Sequence, residues 1–270
     1  MIRLMPAARI ARQVGRRAFG LDPASYHGSR PDYPEWVYQT LRSRCGLDHG
    51  TVTFEVGAGT GTATRRLLDL GADPLIAVEP DARLVDFLRR NNPDGALKIL
   101  FSAFEDVELE ESAFDLGVSA TAFHWLEEDA ALTKITRLLR PRGWWAAFWN
   151  VFGDDSRPDP FHLATKEMLE GPSSPSAGER GVPFGLDAGA RLAALKRTGA
   201  FDVADTQTST WSLVLDADQT VALYATYSNI NVRADREAVL AELGRIARDK
   251  FGGRVVRNMT TSLYIARRAA

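Results

Sequence analysis

The apolar positions of this chain switch between two periods. Val52, Phe54 and Val56 recur every second residue, as in a strand, and Ala63, Leu67, Leu68 and Leu70 then recur at roughly helical spacing. The exchange repeats. Residues 74–80 read as a second strand, 81–91 as a helix with Leu84, Phe87 and Leu88 inward, and 97–103 as a third strand. Phe114, Leu116 and Val118 mark a fourth strand, 129–139 a helix, and 144–149 a fifth strand. Strands alternating with helices predict an α/β fold, a doubly wound and mostly parallel sheet.

From residue 153 to about 186 the pattern gives way to Pro158, Pro160, Pro172, Pro175 and Pro183 with Ser and Gly between them. A helix is expected over 161–169 and a loop over 171–185, long for a compact domain and therefore a candidate for function or motion. Order resumes with a helix over 187–199 and a sixth strand in 201–203 and 205–215. Helices over 218–228 and 233–251 follow, and a closing strand spans 255–267. Four segments result: an N-terminal helix and lid (1–40), a core (41–152), an insertion or cap (153–200) and a C-terminal completion of the sheet with further helices (201–270).

The first strand ends in Glu55-Val-Gly-Ala-Gly-Thr-Gly61. Gly57, Gly59 and Gly61 let the backbone turn sharply and approach a ligand closely, at the carboxyl end of the strand and the N-terminus of the next helix. A dinucleotide fingerprint places its third glycine at position 62, where this chain has Thr62. Glu79 closes the second strand, where an acid meets ribose hydroxyls. Taken alone, the glycines also read as a tight turn with no ligand.

Glu-x-Gly-x-Gly-x-Gly with Glu79 on strand two resembles the class I S-adenosylmethionine-dependent methyltransferases. An aromatic followed by Arg30-Pro-Asp-Tyr33-Pro34 is similar to one branch of them, which includes the trans-aconitate and ubiquinone/menaquinone types. Leu139-Arg-Pro-Arg-Gly143 resembles the family's Leu-x-Pro-Gly-Gly, with Arg142 in place of a glycine. The resemblance covers residues 18–150 and, through the strand pattern, the end of the chain. It implies a seven-stranded Rossmann-like sheet with an antiparallel C-terminal strand, an N-terminal lid helix and an insertion after strand five.

The resemblance also implies S-adenosyl-L-methionine as cofactor. Gly57, Ala58, Gly59 and Gly61 would surround its methionine part, with Glu55 shaping the turn and Glu79 and Pro80 at the ribose. Ser102, Ala103 and Phe104 would flank adenine, although the family often has Asp at the Ser102 position. Ser119 and Arg30 complete the expected cofactor set. Residues 18–40 read as loop-like, with 30–34 extended, and Tyr26, Arg30 and Tyr33 are candidates for a lid.

His124 and Trp125 follow strand four, where the methyl acceptor sits in the resembled fold. By themselves they read as a structural pair. Their position makes His124 a candidate base or orienting group and Trp125 a cation–π support for a sulfonium or a wall of the acceptor pocket. With Tyr26 they form the expected catalytic set. Trp149, Asn150, Tyr224, Tyr227 and Asn229 are further, weaker acceptor candidates.

Composition narrows the partners. The chain has 270 residues, a net charge of −2 and a pI near 6.1, which gives no general attraction to nucleic acid or membrane. Cys45 is the only cysteine, so a reducing, cytoplasmic setting is expected. The four histidines show no ligand spacing, and no metal is expected. The first 21 residues hold five arginines and no acid, as in a transit peptide. The preferred alternative is an amphipathic helix, with Ile2, Met5, Ile10, Val14 and Phe19 apolar, packing on the cofactor face or on another subunit.

These readings converge on methyl transfer to a small organic molecule by in-line displacement, through proximity and orientation. An NAD- or flavin-linked oxidoreductase and a non-catalytic ligand-binding protein of the same fold are the alternatives.

Overall fold

The computed structural model describes residues 9–92, 95–178 and 181–270. Along the chain run α1 (Arg12–Arg17), α2 (Pro23–Ser29), α3 (Glu35–Cys45), β1 (Thr51–Val56), α4 (Thr62–Asp69), β2 (Ala72–Glu79), α5 (Ala82–Asn91) and β3 (Leu97–Phe101). Then come β4 (Phe114–Ala120), α6 (Glu128–Leu138), β5 (Leu139–Phe152), α7 (Pro160–Thr165) and α8 (Ala188–Arg197). β6 (Phe201–Asp216), α9 (Ala217–Tyr224), α10 (Ser228–Asn231), α11 (Arg236–Phe251) and β7 (Arg254–Arg268) complete it.

The strands form one sheet in the order β3-β2-β1-β4-β5-β7-β6. Neighbours from β3 to β5 are parallel, and β7 runs antiparallel between β5 and β6. This is the seven-stranded, doubly wound sheet that the sequence predicts. The chain leaves β1 for β2 and β3 on one side and returns to β4 on the other. A crevice therefore opens outside the carboxyl ends of β1 and β4.

The period of two in β5 divides the core. Ala146 and Phe148 join Leu116 and Val118 under α3 and α4, while Trp145, Ala147 and Trp149 face α6 and α8 on the other side. Side chains such as Leu116 and Phe148 are fully buried and contribute about 1.5–3 kcal/mol each. A third cluster joins α7, α9 and α11 to the start of β7. It stands beside the crevice and supplies one of its walls. At its centre, the guanidinium of Arg257 bonds the Asp159 carboxylate at 2.9 Å and the Tyr224 hydroxyl, and both charged residues are almost wholly buried.

Several elements differ from expectation. Within the loop-like stretch 18–40, residues Pro23–Ser29 are helical, because Asp22 caps the Ser25 N–H and Pro23 sits at the first position. Residues 30–34 do leave helix as expected, with Arg30 extended. The N-terminal helix is Arg12–Arg17, and Val14 is 56% exposed, so its apolar face is not sealed there. Ile2 and Met5 lie outside the described residues. The turn at 139–143 is the beginning of β5, with a shifted register against β4 and Arg142 held at φ 68°. The helix expected over 161–169 is α7, and that expected over 218–228 is broken into α9 and α10.

Candidate active site

Three glycines turn the chain from β1 into α4, each in the left-handed region: Gly57 (φ 72°), Gly59 (φ 60°) and Gly61 (φ 90°). Their reasons differ. A Cβ at Gly57 would meet the Ala122 Cβ at 2.4 Å, where the turn after β4 presses on the loop, and one at Gly61 would meet Leu88 at 2.5 Å. A Cβ at Gly59 would meet nothing within 4 Å. Gly59 opens onto a cavity of ≈ 860 Å³ that fills the crevice.

Two buried acids stand beneath this loop. The Glu79 carboxylate, at the end of β2, accepts the Gly59 N–H at 2.9 Å and the Asp81 N–H at 3.0 Å. Each oxygen keeps a lone pair for a further donor. Glu55 accepts the Thr64 hydroxyl at 2.6 Å, which ties the end of β1 to the first turn of α4. Burial raises both carboxyls to about 7, against the hydrogen bonds that favour their charged forms, and their mutual repulsion raises Glu55 further.

Across the cavity, residues 121–126 follow β4. Trp149 on β5 donates its indole N–H to His124 Nδ1 at 3.1 Å. Burial, aided by the charge of Arg30, lowers the His124 imidazolium to about 3. Trp125 packs edge-on against Phe19 at 5.7 Å, and its carbonyl accepts Arg16 at 2.6 Å. Its indole nitrogen is buried without a hydrogen-bond partner among the described residues.

The roof comes from the chain's first described residues and from the insertion. The Ile10 N–H bonds the Ser173 carbonyl at 2.9 Å, so the N-terminal segment and the 153–186 stretch hold one another above the cavity. Tyr33 bonds the Thr121 hydroxyl at 2.6 Å, which ties the 30–34 segment to the turn after β4. Burial raises the Tyr33 phenol well above the usual range.

Of the residues singled out in the sequence, Tyr26, Arg30, Glu55, Gly57, Ala58, Gly59, Glu79, Pro80, Phe104, His124 and Trp125 all line this one cavity. Gly61, Ser102, Ala103 and Ser119 do not. Gly61 serves the packing of α5, and Ser119 is fully buried with its hydroxyl given to the Val56 carbonyl. The Ser102 hydroxyl donates to the neighbouring Ala103 carbonyl. Arg16, Phe19, Thr121 and Arg257 line the cavity without having been singled out as site residues. For Arg257 a signal existed: Val255, Arg257 and Met259 share one face of β7, which places a charge at an inward position.

Comparison with known proteins bears on this arrangement. A family model described as a methyltransferase domain matches residues 54–147, from β1 into β5. That span holds the glycine loop, Glu79 and the His124–Trp125 turn. Over that span the chain is similar to methyltransferase domains.

Two curated relatives of this chain are an uncharacterized methyltransferase-like protein of Schizosaccharomyces pombe and an uncharacterized methyltransferase of Mycobacterium bovis. The first is 30% identical over 149 residues, 55% of this chain and 57% of the relative. The second is 31% identical over 138 residues, 50% of this chain and 52% of the relative. The chain thus spans about half the length of the curated relatives it matches. Among solved structures, phosphoethanolamine N-methyltransferase 2 of Haemonchus contortus, in complex with phosphomonomethylethanolamine and S-adenosylhomocysteine, shares the fold. Its TM-score is 0.57 at 11% identity, over 93% of this chain and 58% of that one.

Proposed function

We propose that this protein transfers a methyl group from S-adenosylmethionine to a small organic acceptor. The observation that carries the reading is the pairing of Glu79 with the Gly59 N–H beside an open glycine cradle, in the same cavity as the turn that follows β4. The residues fit that cofactor. Gly59 leaves room for close backbone approach, and Glu79 retains acceptor capacity for a ribose diol. The methyltransferase names of the relatives agree with it.

When bound, S-adenosylmethionine supplies a methyl group already activated on a sulfonium. The protein's part is then to hold, orient and exclude water. Glu79 and Gly57–Gly59 hold the donor side. Trp125 and Phe19 wall the cavity in aromatic surface, and residues 153–200 act as its cap with the N-terminal segment. His124 orients the acceptor.

No helix among the described residues is long and apolar enough to cross a membrane. With the single, buried Cys45, this supports a cytoplasmic setting, and the net charge supports neither nucleic acid nor membrane as a partner. Self-association through the N-terminal helix is part of the same proposal. The test is label transfer from methyl-labelled S-adenosylmethionine into a small-molecule metabolite extract. Label in the small-molecule fraction with wild-type protein, lost with Glu79→Ala, is expected. Cofactor binding without any transfer would instead favour a ligand-binding protein.

A further inference from the structure

Three arginines line the cavity, and two have an acid. Arg16 pairs with Glu105 at 2.5 Å and Arg257 with Asp159 at 2.9 Å. Among the described residues no carboxylate pairs with Arg30. Its guanidinium lies between two phenol rings, 5.2 Å from the centroid of Tyr26 and 4.8 Å from that of Tyr227, with one N–H on the Thr226 carbonyl at 3.3 Å. The Arg30 Nε and the Tyr227 hydroxyl are both buried with no hydrogen-bond partner among the described residues, and Tyr227 is only 7% exposed. A half-buried cation with no carboxylate partner, whose buried Nε and neighbouring Tyr227 hydroxyl are both unused donors, lacks an anion with acceptor oxygens.

The place of this pair indicates which anion. Tyr227 stacks on Phe152, the last residue of β5, with centroids 4.5 Å apart. Thr226 and Tyr227 belong to the link between α9 and α10. The donor residues Gly59 and Glu79 lie at the ends of β1 and β2, two and three strands away in the sheet order. At about 4.8 Å per strand those intervals are roughly 10 and 14 Å. Arg30 and Tyr227 therefore face the β5 side of the crevice, the side left to the acceptor. The nearby acids are accounted for: Asp155 bonds Lys166 and His162, and Glu170 is exposed at the rim.

We propose that Arg30 and Tyr227 form a carboxylate-binding subsite for the methyl acceptor, so that the substrates are small organic acids. The proposal rests on the donor reading above and moves Arg30 from the cofactor to the acceptor. Tyr26 holds the guanidinium from its other face, and the Thr226 carbonyl fixes its plane. A neutral molecule of the same shape leaves the Arg30 charge unpaired, which is how the subsite rejects it.

The test is a binding screen of aryl and alkyl carboxylates, each paired with its primary amide, against the protein with and without S-adenosylhomocysteine. Acids are expected to bind at least about tenfold more tightly than their amides. Arg30→Met abolishes that preference, Arg30→Lys keeps part of it, and Tyr227→Phe weakens acid binding severalfold, while affinity for S-adenosylhomocysteine stays within about twofold in all three. Equal binding of acids and amides, or no acid bound, overturns the proposal and leaves the donor reading intact. A large loss of S-adenosylhomocysteine affinity in Arg30→Met also overturns it, since the carboxylate held is then the donor's own. If wild-type protein fails to bind S-adenosylhomocysteine, the donor reading falls, and the screen without it still decides whether an anion subsite exists.

Discussion

The Trp149 indole N–H donates to Nδ1 of His124 at 3.1 Å. An indole nitrogen can only donate, so Nδ1 is bare and the proton of the neutral ring sits on Nε2. With the imidazolium lowered to about 3 by burial and by Arg30, His124 is an N–H donor near neutral pH. Of its two expected roles, base and orienting group, the geometry supports the second.

It follows that kcat/KM carries no limb from this imidazole between about pH 5 and 8. His124→Gln, which keeps an N–H, should retain severalfold more activity than His124→Ala, the worth of about one hydrogen bond. A rising limb near the ordinary histidine value of about 6.5, lost in both variants, would show that the ring works as a base.

Glu55 and Glu79 predict how the ligand-free protein responds to pH. Both carboxyls are raised from 4.5 to about 7, so the folded state holds protons that the unfolded state has released. Their contribution is fully present below about pH 4.5 and is lost as pH rises through 7. Between pH 5 and 8 the Tm of wild-type protein should fall relative to that of Glu79→Gln, measured by differential scanning calorimetry. Parallel curves would mean that Glu79 ionises normally in the fold.

The three glycines separate packing from binding. Gly57→Ala drives a methyl group into Ala122 and should cost several kcal/mol, with a large loss of Tm. Gly59→Ala meets no atom and pays only the left-handed backbone cost of about 1–2 kcal/mol. It should fold, and yet lose affinity for S-adenosylhomocysteine by tenfold or more. A Gly59→Ala protein that binds as wild type would remove the cradle from the donor site.

How much of this was legible in the sequence depends on whether the signal was local. The β1 turn, Glu79 and the succession of strands and helices along the chain were readable because glycine spacing and alternating apolar positions report local backbone and burial. The order of the strands in the sheet is seen only in the fold. The helix at 23–29 was missed because the prolines and aromatics around it look like a loop, although Asp22-Pro23 is an N-cap signature. Ser119 belonged to the expected cofactor set by its place on β4, and only the fold reveals that its hydroxyl is used by Val56. The His124–Trp149 bond joins residues 25 apart on two elements, and nothing in either local sequence announces it. Arg30 was recognised by its motif, while its isolation from any acid is a property of the assembled cavity.

Arg142 tests the backbone. It stands where the family pattern has glycine, and its φ of 68° is costly for a residue with a Cβ. Arg142→Gly relieves that strain, partly offset by the greater freedom of glycine in the unfolded chain. A rise in Tm of roughly 1–3 °C is expected, with cofactor binding unchanged because the turn lies at the opposite end of the sheet from the cavity. A fall in Tm would mean that the arginine side chain contributes more than its backbone costs.

The central claim, that the cavity above β1 and β2 takes S-adenosylmethionine, is tested most directly by calorimetric titration with S-adenosylhomocysteine, with NADH as control. The account predicts micromolar binding of the first, none of the second, and a loss of about 1–3 kcal/mol in Glu79→Ala, where a ribose hydroxyl loses its acceptor. Binding of NADH in place of S-adenosylhomocysteine, or an affinity for S-adenosylhomocysteine indifferent to Glu79, would contradict it.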